Sequence, residues 1–271
     1  MPDFQLNTDA CISCGLCVQD CLPGALQMVD DRPVMSQPER CIGCQHCLAV
    51  CPQGAISILG QKPEASAALA WPTPDTMENL IKGRRSMRVY KQENVAPETV
   101  RRLLDVAGHA PTGVCARKLH VAVIDDLAVM NAFRQDVYAR LEALTAQGQL
   151  PDNPRSQYFA MAAQMWRDGK DMIFRTAPHA VIVSNAKTAP CLVQDPLIHL
   201  SYFELMAQSM GLGTVWCGLL YWVLQLMPDL MPRLGIPDSH ELGYAMLFGY
   251  PALTYQRTVE RGLAQTHRVS W

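Results

Sequence analysis

Hydrophobic and polar positions follow a helical rhythm through much of the chain beyond residue 74. In the segment 97–107, Val100, Leu103 and Leu104 recur at the spacing of one helix face. Continuous apolar runs of five or six residues interrupt this rhythm and indicate strands. The pattern predicts an α+β domain, in which helices cover a central sheet. The predicted helices are 76–82, 97–107, 126–145, 156–174 and 196–210, and the predicted strands are 119–124, 180–184 and 244–248.

The first sixty residues follow another pattern, a cysteine spacing that occurs twice. Each copy has the form C-x2-C-x2-C-x3-C, and the second begins thirty residues after the first. For each half we predict a tight cysteine loop, one helical turn and a short strand. Neither half can bury a core alone, so the two should pack together.

A segment rich in proline and small residues, QKPEASAALAWPTP, separates the two patterns. Its prolines cannot continue a strand and disfavour a helix. We therefore predict a cysteine-rich domain over 1–60, a linker over 61–74 and a second domain over 75–271.

Composition and charge exclude several classes of protein. With 49% hydrophobic and 18% charged residues the chain can bury a core, and its net charge of −2 argues against nucleic-acid binding. Residues 1–60 hold six acids and two arginines, a formal charge of −4. The uncharged stretch 205–228 is long enough to span a membrane, but glycines and polar residues interrupt it. The N-terminal residues lack a secretory pattern, so we expect a cytoplasmic protein without a membrane span.

The doubled cysteine spacing indicates metal ligation rather than disulfides, which are not expected in the cytoplasm. Zinc sites pair two knuckles and need four ligands, whereas this spacing resembles that of the two-cluster bacterial ferredoxins. The resemblance implies two [4Fe–4S] clusters, in which the fourth cysteine of each motif binds the other cluster. One departure is Leu22, which separates Cys21 from its proline. The implied ligand sets are Cys11, Cys14, Cys17 and Cys51 for one cluster, and Cys41, Cys44, Cys47 and Cys21 for the other.

Two segments of the second domain could contact an anion. In an extended stretch, Arg84, Ser86 and Arg88 share one face, which suits a dianionic phosphate. A solvated basic strand is the alternative for these residues taken alone. The segment 211–214, Gly-Leu-Gly-Thr, lets backbone N–H groups approach a ligand, although Trp216 stands where a dinucleotide fingerprint needs glycine.

Four motifs in this order resemble the nitroreductase family of FMN flavoproteins: RRSMRVY (84–90), APTGV (110–114), GLGTVWCG (211–218) and GYP (249–251) with a later arginine. The resemblance covers nearly all of 75–271 and implies a domain-swapped homodimer with FMN at the interface. Cys115 and Arg117 stand where the family commonly has asparagine and glutamine. The implied FMN-binding residues are Arg84, Arg85, Ser86, Arg88, Pro111, Thr112, Gly113, Cys115, Gly211, Leu212, Gly213, Thr214, Arg257 and Arg261.

Together the two resemblances predict an iron–sulfur flavoprotein oxidoreductase. Electrons from a ferredoxin-like donor protein would pass through the clusters to FMN and then to a nitroaromatic, quinone or activated alkene. The alternatives are an electron-transfer or redox-sensing module that relays to a partner protein, and a chain for which FMN is itself the substrate or is lost, which leaves a ferredoxin with a structural appendage. No catalytic acid or base is identified. Cys191 and Cys217 are expected to be buried and to act as small apolar residues. Trp166 and Trp222 are expected to lie in the core. As an alternative, Tyr158, Phe159 and Trp166 could line the mouth of a cleft.

Overall fold

The computed structural model describes residues 2–271, and the chain divides into two compact units. The first comprises Met1–Trp71 with Val114–Ala116, and the second comprises Pro72–Gly113 with Arg117–Trp271. Each unit contains helices and strands, which confirms the predicted α+β class. Within residues 2–271, no helix has the length and apolar character needed to cross a membrane.

Each half of the first unit has the predicted loop, short helix and strand. Strand β1 pairs antiparallel with β4, and β2 pairs antiparallel with β3. Leu26, Ile56 and Ile58 are buried here beside Cys17 and Cys47, so the cysteine loops themselves contribute to a small core. The elements of this unit are β1 (Phe4–Leu6), α1 (Leu16–Gln19), β2 (Leu26–Val29), β3 (Arg32–Met35), α2 (His46–Val50) and β4 (Ile56–Ile58).

The second unit is built on a four-stranded antiparallel sheet in the order β5-β6-β8-β7. Side-chain caps fix the start of three helices: Thr73 accepts a hydrogen bond from Thr76 N, Asp126 accepts from Ala128 N and Val129 N, and Cys217 Sγ accepts from Leu220 N. Its elements are α3 (Pro74–Gly83), α4 (Pro97–Ala107), β5 (Leu119–Ile124), α5 (Leu127–Ala146), α6 (Ser156–Arg167), β6 (His179–Ala186), α7 (Gln194–Ser209), β7 (Gly213–Trp216), α8 (Gly218–Leu226), α9 (Leu230–Arg233) and β8 (His240–Gly249).

Two of the predicted elements differ in the structure. The helix predicted over 156–174 ends at Arg167, because Gly169 adopts a φ of 74° that a right-handed helix excludes. Strand β7 was not predicted: of the segment 211–214, Gly213 and Thr214 begin this strand, and Gly211 and Leu212 precede it.

The sheet has a core on each face because successive side chains of a strand point to opposite sides. On β6, Ala180 and Ile182 join one apolar cluster, whereas Val181 and Val183 join the other. The first cluster includes the buried Phe159, and Trp166 and Trp222 pack against it. The predicted core position of the two tryptophans is therefore confirmed.

Helix α7 packs on the second face of the sheet through Leu200, Phe203 and Ala207, which are fully buried. Its N-terminal end lies against Gly243, the extra residue of a β-bulge between β6 and β8. A Cβ on Gly243 would lie 2.4 Å from Pro196 Cβ and 2.8 Å from Val183 O, so only glycine fits.

We expect Gly243→Ala to lower the free energy of unfolding by about 2–3 kcal/mol, because backbone and proline ring cannot both move away from the new methyl group. Denaturant unfolding followed by circular dichroism would measure the change. Gly83→Ala is the matched control, since nothing lies within 4 Å of a Cβ there, and it should change stability by less than about 0.5 kcal/mol. Equal stability of the two variants would contradict the close approach.

Candidate functional site

Two small cavities in the first unit are each surrounded by four cysteines. Cys11, Cys14, Cys17 and Cys51 line the first, and Cys21, Cys41, Cys44 and Cys47 line the second. The structure thus brings together each set that the sequence resemblance implies, including the crossed fourth cysteine.

The backbone around the middle cysteine of each motif has the same unusual conformation. Ser13 and Gly15 flank Cys14 with φ values of 55° and 72°, and Gly43 and Gln45 flank Cys44 with values of 68° and 61°. Residues with positive φ turn the chain tightly, and such turns direct backbone N–H groups towards an anionic centre. A thiolate-bound iron–sulfur cluster is such a centre, so the residues present fit it.

The cysteine sets suit a cluster of several irons. Each cavity has four cysteines around it, and a four-iron cluster takes one thiolate per iron. Burial raises the pKa of the Cys47 thiol to about 11, so binding of iron there would release a proton.

Two further residues of this unit lie beside the cysteines. His46 is exposed, and its Nδ1 lies 3.2 Å from Asp20 Oδ2. Leu22 is 93% exposed. The residue that separates Cys21 from its proline therefore points into solvent and leaves the cysteine set intact.

In the second unit the basic segment 84–90 runs along the edge of strand β7. Met87 N donates to Thr214 O at 2.8 Å, and Ser86 forms a parallel bridge with Thr214. A Cβ on Gly213 would lie 2.6 Å from Met87 Cγ, so glycine permits this contact. The two segments predicted to bind FMN, 84–88 and 211–214, are therefore adjacent.

Arg84 reaches a buried carboxylate rather than open solvent. Its Nη1 donates to Glu204 Oε1 at 3.2 Å, and the Glu204 side chain is only 9% exposed. Thr214 Oγ1 donates to the same oxygen, and Trp216 Nε1 donates to Oε2, both at 3.1 Å. Glu204 on α7 thus joins the segment 84–90 to β7.

Arg85 lines an open cleft of about 510 Å³ on the other side of the segment, together with Arg257. Its Nη1 donates to Arg84 O at 2.6 Å, whereas its Nη2 is buried without a hydrogen-bond partner. Arg85 and Arg257 supply two guanidinium groups to the lining of this cleft, which suits a phosphate-bearing ligand. The other predicted residues that line it are Gly211, Leu212 and Gly213.

The loop 111–113 is held elsewhere in the second unit. Gly113 N donates to Asp195 Oδ1 at 3.0 Å, and a Cβ on Gly113 would lie 2.6 Å from Cys191 Sγ. Asp195 is 2% exposed and also accepts from Asn185 Nδ2. Thr112 lines a separate cavity of about 250 Å³ with Arg117 and His199. One chain therefore divides the predicted FMN residues between two cavities.

The remaining predicted residues are less constrained. Arg88 is exposed, and its Nη1 lies 3.5 Å from Ser86 O. Pro111 and Arg261 are exposed, and Cys115 is half-buried. Cys217 is buried as expected and donates to Ile173 O, whereas Cys191 is only partly buried.

The sequence reasoning missed Asp195 and Glu204, the two acids that hold the predicted loops. Both lie in a helix whose other buried positions are mostly apolar. An acid at a buried position of a helix is the signal that could have identified them, because buried carboxylates are rare unless they are paired.

Comparison with known proteins assigns this fold to a family. The model of the nitroreductase family matches residues 81–250, and the model of a 4Fe-4S dicluster domain matches residues 10–64. The chain belongs to the nitroreductase family. The fused architecture that the motifs predict is thereby confirmed.

Individual relatives agree with this assignment. Nitroreductase NfnB of Mycolicibacterium smegmatis is 41% identical over 51 residues, which make up 19% of this chain and 22% of that protein. The crystal structure of a nitroreductase with bound FMN from Bacteroides fragilis aligns with a TM-score of 0.57 and 21% identity over 72% of this chain and 100% of that one. The FMN-dependent nitroreductase NfnB of Mycobacterium smegmatis, solved in complex with NADPH, aligns with a TM-score of 0.52 and 22% identity over 72% and 98%. These structural matches establish the fold.

The crossed cysteine sets give a test based on iron content. Cys21→Ser with Cys44→Ser changes two cysteines around one cavity, and we expect about four irons per chain to remain of about eight. Cys21→Ser with Cys14→Ser changes one cysteine around each cavity, and we expect both clusters to be lost. Iron and sulfide quantitation after anaerobic purification would measure both.

Cys191→Ser is the matched control, since Cys191 lines neither cysteine cavity, and it should keep the full iron content. The reverse pattern, with both clusters lost in Cys21→Ser/Cys44→Ser and one kept in Cys21→Ser/Cys14→Ser, would contradict the crossed arrangement.

Proposed function

We propose that this chain is an iron–sulfur flavoprotein oxidoreductase that passes electrons from a donor protein to a small organic acceptor. The nitroreductase family match and the dicluster match support FMN and [4Fe–4S] clusters as its cofactors. When bound, a cluster carries one electron at a time and FMN exchanges one or two. The acceptor would be a nitroaromatic, a quinone or an activated alkene.

The observation that carries the proposal is the pair of cavities with four cysteines each, in one chain with a nitroreductase domain. Thiolates that saturate the irons leave no open iron for a substrate, so the clusters would serve electron transfer. The acceptor would therefore bind in the second unit.

The residues of the second unit would bind and orient FMN. Arg85 and Arg257 would meet the phosphate in the cleft, and Gly211 and Gly213 would let the backbone approach the ligand. Arg84, Ser86, Arg88 and Arg261 remain proposed contacts from the family resemblance.

A homodimer would complete the site. Asp195 and Glu204 hold the loops 111–113 and 84–90, and their spacing of nine residues places them on opposite faces of α7, about 13 Å apart along its axis. One chain thus keeps the two loops apart, whereas a second copy could bring its loop 111–113 to the cleft. Leu197 and Tyr202 on α7 are 36% and 42% exposed and would suit such an interface.

We expect Leu197→Asp with Tyr202→Asp to yield a monomer that binds FMN at least tenfold more weakly, because two charges in an apolar interface disfavour association. Light scattering would give the mass, and flavin fluorescence would give the affinity. Val129→Asp, an exposed apolar residue on α5, is the control and should change neither. A monomeric wild-type chain with full FMN affinity would rule out the shared site.

A partner protein as the electron acceptor is the second candidate. The cleft is open, and Leu253 and Tyr255, which line it, are 40% and 47% exposed. Exposed apolar residues at the rim suit a protein surface as well as a small molecule.

Anaerobic purification followed by cofactor quantitation and rapid reduction would test the function. We expect about eight irons and one FMN per chain, with flavin reduced quickly by reduced ferredoxin and slowly by NAD(P)H. The double variant Cys21→Ser/Cys14→Ser should keep FMN and lose only the ferredoxin-driven reduction. Fast reduction by NAD(P)H in that variant would assign the clusters an accessory role, and absence of FMN from the wild-type protein would overturn the proposal.

A further inference from the structure

We propose that the cysteine loop 11–17, together with Asp9, is the surface on which a cationic electron-donor protein docks. This assignment rests on the proposed function and deepens it, because it names the docking surface and the charge of the donor. The loop 11–17 is called the first loop and the loop 41–47 the second loop. They follow the same cysteine spacing thirty residues apart, yet they differ in exposure and in charge.

The first loop is the more exposed of the two. Ile12 is 60% exposed, whereas Ile42 at the equivalent position is half-buried. Cys14 is exposed, whereas Cys44 is half-buried. Ile12 and Cys14 both line the first cysteine cavity. A donor protein can therefore approach the first cysteine set more closely than the second.

The second loop is covered from within the same unit. A Cβ on Gly43 would lie 3.3 Å from Leu59 Cδ1, so the Leu59 side chain packs against this loop. Ser13, which stands at the equivalent position of the first loop, is exposed. Packing within the unit therefore contributes to the difference in exposure.

Charge also separates the two loops. Asp9 and Ala10 precede the first loop, whereas Glu39 and Arg40 stand at the equivalent positions before the second. Asp9 is exposed and forms no ion pair within residues 2–271. Arg40 is exposed beside Glu39 and would repel a cationic protein, whereas Asp9 would attract one.

The first loop also has an apolar centre. Ile12 and Leu16, which are 60% and 39% exposed, flank Cys14. At the position of Leu16 the second loop has the polar His46, whose Nδ1 lies 3.2 Å from Asp20 Oδ2. Exposed apolar residues with a carboxylate at the rim suit a protein whose own contact surface has an apolar centre and a basic rim.

The charge of the whole unit favours a basic protein over a second copy of the unit. Residues 1–60 carry a formal charge of −4, so two such units would repel each other, whereas a basic protein would be attracted. In the transfer itself, one electron would pass from the donor, which is oxidised, to the cluster of the first cysteine set, which is reduced. No bond would form or break.

The test measures binding on the anaerobically purified full-length chain. The probe is a basic c-type cytochrome in which zinc replaces the haem iron, so that it fluoresces and complex formation is followed without electron transfer. We expect the wild-type chain to bind this probe at low ionic strength and to release it as salt is added, because salt screens the attraction.

Ala10→Arg gives the first loop the arginine that precedes the second, and we expect it to weaken binding about tenfold. Leu22→Arg is the matched control, because Leu22 is 93% exposed, lies outside both loops and would carry the same new side chain. It should weaken binding less than about threefold. Carbodiimide cross-links to the lysines of the cytochrome should form at Asp9 and not at Glu39.

A second pair of variants covers the case in which Ala10→Arg does not fold. Asp9→Asn and Glu39→Gln each remove one negative charge from equivalent, exposed positions. Only Asp9→Asn should weaken binding, by about threefold. Iron content is recorded for every variant, so that loss of a cluster is not mistaken for loss of the docking surface.

Three outcomes would overturn the assignment. Equal weakening by Ala10→Arg and Leu22→Arg would show attraction by net charge alone. Cross-links at Glu39, or a greater loss with Glu39→Gln than with Asp9→Asn, would place the probe on the second loop. A wild-type assembly that Ala10→Arg dissociates in the absence of the cytochrome would make a second copy the occupant. Absence of iron from the wild-type chain would instead overturn the proposed function, and the binding measurement would still decide the docking surface.

Discussion

Pairing of buried carboxylates on one helix organises the second unit. A carboxylate loses its hydration when it is buried, so its oxygens must accept hydrogen bonds from the protein. Glu204 and Asp195 take these bonds from Arg84 and Gly113, which lie in two separate loops. Helix α7 is itself fixed by its apolar residues against the sheet. The loops are therefore positioned by the core, although their own residues are partly exposed.

In the first unit, the backbone conformation rather than a buried carboxylate holds the loops in position. A short domain cannot bury enough apolar surface to fix long loops, and here the residues beside Cys14 and Cys44 adopt left-handed φ values instead. Cys17 and Cys47 are buried with Leu26 and Ile56, so the small core and the cysteine cavities share residues. Binding of a cluster and folding of this unit should consequently be coupled.

Local signals in the sequence predicted much of the fold. The cysteine spacing predicted both loop–helix–strand halves, and helical periodicity predicted α4, α5 and α7 close to their observed bounds. Strand β7 was missed because its four residues begin with glycine, and its strand character comes from pairing with β8 rather than from its own residues. The early end of α6 at Arg167 depends on one glycine with positive φ, which periodicity does not reveal.

The site was less predictable, because it depends on contacts between distant segments. In an extended segment alternate side chains share one face, which predicted that Arg84, Ser86 and Arg88 face a ligand together. No local pattern in the sequence indicates that Glu204, 120 residues away, is the partner of Arg84. The separation of loop 111–113 from the cleft likewise follows from which face of α7 holds each loop. A sequence motif identifies the site residues of one segment only and does not show which other segments they contact. The three-dimensional partners decide which of them carry free charge and which are already paired, and this division determines how the chain can bind an anionic ligand.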